Sequence, residues 1–259
     1  MKNGTVTTKV VTGPGWELRL GDCLDPNTGL ASLERGSVSA TIADPPYSSG
    51  GLSSGARARS TGEKYSSAQK PCPNFPGDNR DQRSFTSWAW RWLAACRDAS
   101  SARGRLAVFT DWRQLPAITD AIQWADWIWR GTGAWAKPLG ASRPRAGGLW
   151  NGVEFIPWAS AGPMPQAGQS DCYAPCLPGL FQAAAPKGAA RVHQTQKPDE
   201  VLERLVELAP PGDLVCDPFA GSGTTGVAAI RRGRRFVGWE KSPEIFEVAC
   251  SRLRAARPQ

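Results

Sequence analysis

The feature that most constrains this chain is a short strand that stops on two prolines. Val38-Ser39-Ala40-Thr41-Ile42 alternates apolar and small polar residues, the pattern of a buried strand. It runs into Ala43-Asp44-Pro45-Pro46-Tyr47. Neither proline can donate to a sheet ladder, so Asp44 is read as the last strand residue, facing whatever lies beyond the sheet edge. Tyr47 follows on a stiff, extended turn. A carboxylate, the Pro45 carbonyl and an aromatic ring are thereby held close together. Such a set suits a flat heterocycle with an exocyclic amine: two acceptors for the amine hydrogens and one ring to stack on. A plain strand end with a capping aspartate is the alternative on these residues alone.

Strand and helix signals alternate along the rest of the chain. Strands are expected at 16–20, 105–111, 127–135, 154–159, 213–217 and 235–240. Helices are expected at 84–99 and 112–124, from Lys197 with Pro198 as its first residue, from the Gly221 turn to about Arg232, and after Ser242-Pro243-Glu244. Trp88 and Trp92 fall at helical spacing and read as core. About seven strands with helices between them predict an α/β, doubly wound, mostly parallel seven-stranded sheet, in one domain over 1–259. Two segments break the pattern. Residues 48–83 are rich in Gly, Ser, Pro, Arg and Lys, and read as a mobile basic loop that closes over substrate. Residues 138–192 read as an irregular insertion and a candidate target-recognition region.

A second site follows the strand 213–217. Asp217-Pro218-Phe219-Ala220-Gly221-Ser222-Gly223-Thr224 turns from strand to helix, a geometry that brings a ligand onto backbone amides. No Gly-Lys-Ser/Thr follows, and the G-x-G-x-x-G spacing is absent, so neither a phosphate-binding loop nor a nicotinamide fingerprint is met. Glu240 ends the next strand, 19 residues past Gly221, the usual place for a carboxylate that grips ribose hydroxyls. A ligand with a ribose and little phosphate is implied, and an adenosyl sulfonium compound fits. Asp44 and Asp217 both end strands at the carboxyl edge of the sheet. A methyl donor at the glycine turn would then face an amine held at Asp44.

Composition narrows the partners. The 259 residues carry a net charge of +8, which favours a polyanion, and 41% hydrophobic residues exclude global disorder. Seven scattered cysteines and a single histidine argue against a zinc site, and no metal is expected. Met1 to Gly15 is polar and no apolar run approaches a membrane span, so a cytoplasmic protein without membrane contact is expected.

These residues together resemble the amino-methyltransferases of DNA. The match rests on Asp44-Pro45-Pro46-Tyr47 first in the chain and on Asp217-Pro218-Phe219-Ala220-Gly221-Ser222-Gly223 last, the order of the family's β group. A third stretch, His193-Gln194-Thr195-Gln196-Lys197-Pro198, resembles the family's His-Pro-Thr-x-Lys-Pro, with Gln194 in place of proline. The β group includes restriction-system and solitary enzymes of bacteria and phages. The resemblance implies a Rossmann-like methyltransferase fold and S-adenosylmethionine as cofactor. Asp22 and Cys23 match the stretch near its adenine, and His193, Thr195 and Lys197 the stretch near its methionine end. Asp44, Asp217 to Thr224 and Glu240 complete the implied cofactor set.

The implied reaction is transfer of a methyl group to the N6 amine of an adenine flipped out of duplex DNA, with Asp44, Pro45, Pro46 and Tyr47 as the catalytic set. Arg57, Arg59 and Lys64 in the first basic segment, and Arg143, Arg145, Lys187 and Arg191 in the second, are the candidate DNA contacts. Cytosine-N4 methylation is the alternative; the family more often carries Ser in place of Asp44 for that reaction. A catalytically silent DNA-binding protein on the same fold is the second alternative. The β group also contains dimers, which keeps a homodimer among the expected partners.

Overall fold

The computed structural model describes residues 9–47, 80–138, 147–165, 173, 175–185 and 196–258. In chain order these form β1 (Lys9–Gly13), β2 (Trp16–Leu20), β3 (Val38–Ala43), α1 (Gln82–Ala99), β4 (Ser100–Val108), α2 (Leu115–Trp124), β5 (Ile128–Ala136), β6 (Val153–Ser160), β7 (Leu180–Gln182), α3 (Asp199–Leu205), β8 (Leu214–Asp217), α4 (Thr224–Arg231), β9 (Arg235–Glu240) and α5 (Pro243–Ala255). The mostly parallel, doubly wound α/β sheet expected from the sequence is present, but it has nine strands rather than seven, in the order β1-β2-β9-β8-β3-β4-β6-β5-β7. The two extra strands have weak local signals. β1 is a short, mostly exposed strand that pairs only with β2, and β7 is three residues inside a proline-rich stretch. The run β2-β9-β8-β3-β4 is parallel, and β5 and β6 form an antiparallel hairpin beyond β4.

Several boundaries differ from expectation, among them the following three. β3 ends at Ala43, whose carbonyl takes the Phe109 amide at 2.9 Å, so Asp44 is the first residue past the ladder. Pro198 is the N-cap of α3, with extended backbone, rather than its first helical residue. β4 starts at Ser100, five residues earlier than read, directly at the end of α1.

Alternation along each strand feeds two cores. Ala40, Ile42, Ala107, Phe109, Val215 and Phe236 face α3, α4 and α5. Leu106, Val108, Cys216, Val237 and Trp239 face α1 and α2. Covering helices on both faces is what a buried parallel sheet requires. The sheet order has one reversal that matters. From β8 the chain passes through α4 to β9 on one side, and from β3 through α1 to β4 on the other. β8 and β3 are neighbours, so their carboxyl ends open a crevice between diverging connections.

Candidate active site

Asp217 is the last residue of β8, and Asp44 follows β3 directly. The two expected sites therefore share one crevice. A single cleft of about 1330 Å³, counted out to open solvent, carries Asp44, Pro45, Pro46 and Tyr47 on one wall. Asp217 to Ser222, Thr224 and Glu240 form the other. Gly21 to Cys23 and Lys197 also line it. Gly223 does not; it caps α4 with φ +80°. His193 and Thr195 lie outside the described residues, as do the expected DNA contacts Arg57, Arg59, Lys64, Arg143, Arg145, Lys187 and Arg191. Most of the two basic segments, 48–83 and 138–192, lies outside them too.

The glycine turn is held from three sides. Ala220 donates to the Trp239 carbonyl at 2.8 Å, and the Asp217 carboxylate accepts from the Phe219 amide at 2.9 Å. Arg252, reaching from α5, donates to the Ser222 carbonyl at 2.7 Å and to the Thr224 hydroxyl at 3.0 Å. Gly221 takes φ +52°, a left-handed conformation that glycine adopts at no steric cost. Burial raises the Asp217 carboxyl to about 7 and pushes Glu240 above its ordinary value.

These walls fit an adenosyl sulfonium ligand. Glu240 ends β9 at the ribose position, and Gly21 at the end of β2 donates to its carbonyl at 2.9 Å. Phe219 and Trp88 supply aromatic surface, their centroids 5.4 Å apart. The cations of this wall are engaged elsewhere: Lys241 pairs with Asp22 at 2.9 Å, and Arg80 stacks on Trp88 at 4.3 Å. Among the described residues, Arg252, the cation at the glycine turn, is occupied by the Ser222 carbonyl and the Thr224 hydroxyl.

The opposite wall carries a feature absent from the sequence reading. The Lys197 ammonium lies 2.6 Å from Asp44 Oδ2 and 3.4 Å from Glu154 Oε2. Glu154 Oε1 takes Lys137 at 2.6 Å, and its Oε2 accepts from the Tyr47 hydroxyl at 3.0 Å. Lys197 is 6% exposed. Burial works against its charge, but Asp44 and Glu154 hold the ammonium above its ordinary value. Burial raises the Asp44 carboxyl, and Lys197 opposes that rise. Burial would also raise Glu154, but Lys197 and Lys137 outweigh it and hold the carboxyl low.

Trp88, read as core from its spacing, is half-buried and lines the cleft, while Trp92 is fully buried beneath it. Glu154 and Lys137 were not singled out at all. They come from the β5–β6 hairpin, whose position beside β4 has no local signature. Among the described residues no cluster of metal-ligating side chains occurs, and no helix is long and apolar enough to cross a membrane.

A doubly wound sheet with an acid ending each of two adjacent central strands, one before Pro-Pro-Tyr and one before a glycine turn, is the architecture of a nucleoside-dependent methyltransferase. A family model described as DNA methylase matches residues 176–251. The type II methyltransferase M.HinfI of Haemophilus influenzae is 26% identical over 256 residues, covering 92% of this chain and 68% of that protein. The type II methyltransferase M2.DpnII of Streptococcus pneumoniae is 25% identical over 240 residues, covering 87% and 86%. The solved structure of PvuII DNA methyltransferase (cytosine-N4-specific) shares the fold, with TM-score 0.66, 19% identity, and 93% and 87% coverage. Over residues 176–251 the chain thus matches a DNA methylase family model, and over most of its length it is similar to DNA methyltransferases.

Proposed function

We propose that this protein methylates the N6 amine of an adenine flipped out of duplex DNA. The observation that carries the reading is the shared cleft, in which the Asp44–Tyr47 turn and the Gly221 turn face each other across adjacent strand ends. Asp22, Phe219, Gly221 and Glu240 would hold S-adenosylmethionine, which would supply an electrophilic methyl group. The chain's own work is on the amine. An adenine amine is a poor nucleophile because its lone pair is delocalised into the ring. The Asp44 carboxylate and the Pro45 carbonyl accept hydrogen bonds from it, which localises the pair and stabilises the positive charge developing there; the surplus proton of the methylated amine then leaves by way of Asp44 to water. Tyr47 stacks on the extruded ring and fixes its plane, so that orientation supplies much of the acceleration. No cysteine is needed as a nucleophile.

An aspartate at position 44, rather than serine, favours adenine over cytosine as the target. The two basic segments, 48–83 and 138–192, are the proposed DNA-contacting parts, and net charge +8 supports a phosphate-backbone partner. Hydrolysing methylated genomic DNA to nucleosides and weighing them tests the reading. N6-methyldeoxyadenosine is the expected product. N4-methyldeoxycytidine alone would assign the protein to the cytosine enzymes instead.

A further inference from the structure

Asp44 and Tyr47 do not stand alone in the cleft. Around them runs a chain of buried and half-buried charges drawn from four separate places: Lys137 just past β5, Glu154 on β6, Lys197 just before α3, and Asp44 after β3. Two cations meet two anions, so the chain is neutral overall. Glu154 is the hub, since one carboxylate holds both lysines and the Tyr47 hydroxyl. Its side chain is 15% exposed, and that of Lys197 7%. Buried charges of this kind persist only when each is paired.

Resting on the reading above, we propose that Glu154 and Lys197 are positioning residues that hold Asp44 and Tyr47 in the geometry needed to accept and stack the target base. Lys197 occupies Oδ2 of Asp44, which leaves Oδ1 as the oxygen for the amine. Paired in this way Asp44 presents Oδ1 as a hydrogen-bond acceptor. Glu154 fixes the ring of Tyr47 through its hydroxyl and keeps Lys197 from moving away from Asp44. Neither residue touches the base. Both act through the two that do.

The groups that face this pair from the elements around it are Lys137 just past β5, Asp111 after β4, Asp217 on β8, and Tyr47 itself. Asp44 and Glu154 repel each other, while Lys197 attracts both. Removing each partner therefore has an opposite effect on Asp44. Without Lys197, burial is less opposed and the Asp44 carboxyl moves up. Without the Glu154 charge, a repulsion is lost and it moves down.

The test compares wild type with Lys197→Met and Glu154→Gln, each close in shape to the residue it replaces. The readouts are the Asp44 titration by carboxyl ¹³C NMR and the pH profile of kcat at saturating DNA and cofactor. The expected result is that Asp44 titrates about one pH unit higher in Lys197→Met and lower in Glu154→Gln. The acid limb of kcat follows in the same directions. In Glu154→Gln kcat falls about tenfold while cofactor affinity, which also reports an intact fold, is unchanged. Tyr47→Phe keeps the ring but breaks its link to Glu154, so the two changes combine less than additively. An Asp44 titration that stays at its wild-type position in both variants overturns the inference, whether or not the protein methylates DNA. Absence of methyl transfer by the wild type, with the two opposite titration shifts present, would instead overturn the adenine reading and leave the charge chain standing.

Discussion

At the scale of single residues, the cleft works by placing carboxylates where water is scarce. Asp217 is 2% exposed, and its carboxyl is raised from an ordinary 3.8 to about 7. The sign follows from proton counting. Between those two values the folded protein holds a proton that the unfolded chain has released, so stability falls as pH rises through about 7. The upper bound on this contribution is about 4 kcal/mol. Asp44 and Glu240 are raised as well, and act in the same direction. Urea denaturation of the cofactor-free protein should show a lower midpoint at pH 8 than at pH 5.5, and Asp217→Asn should flatten that dependence. A midpoint that rises over this range would mean that Asp217 is not the buried neutral acid described. Tyr47→Ala belongs to the same scale. It removes the stacking surface, so methyl transfer should fall by about 1–3 kcal/mol of activation energy while duplex affinity changes less. A base-analogue fluorescence signal on extrusion that matches wild type would remove Tyr47 from that role.

At the scale of elements, the site depends on two helices held close against the sheet. A Cβ on Gly226 in α4 would lie 2.7 Å from Leu253 Cδ2 of α5 and 2.7 Å from Phe236 Cε1 of β9. Gly226→Val should therefore cost about 1–3 kcal/mol of stability through overpacking, read from denaturant midpoints. Arg252 of α5 reaches the glycine turn from behind. Arg252→Ala should weaken S-adenosylmethionine binding by about tenfold, the loss of a charged hydrogen bond, with the fold retained. Titration calorimetry reads that change directly.

The same scale explains what could be read from the residues beforehand. β3 and its proline stop, and β8 with its glycine turn, were legible because each is dictated by a few adjacent residues. The alternation of strands and helices then implied that both ends share one sheet edge. Glu154 was not legible, since a lone acid in an antiparallel hairpin has no local mark. Its place opposite Tyr47 depends on the pairing of β6 with β4, as in Leu106 against Ala159. Lys197 was legible as a residue of the site but not as the partner of Asp44, 153 positions away. β1 and β7 escaped because runs of five and three residues carry too little period to distinguish strand from loop.

At the scale of the whole molecule, the sheet order brings chemistry from both ends of the chain to one crevice, and the net charge of +8 suits the proposed polyanionic partner. Affinity for duplex DNA should fall steeply between low and moderate salt, in proportion to the phosphates neutralised. A flat response would point to another partner. The central claim is that the acid after β3 prepares an amine for a methyl group held at the turn after β8. Methyl transfer from labelled S-adenosylmethionine to duplex DNA, by wild type and by Asp44→Ala, bears on it most directly, with cofactor binding measured on the same samples. The prediction is label in adenine with wild type and none with the variant, at equal cofactor affinity. Turnover by Asp44→Ala at the wild-type rate would contradict it.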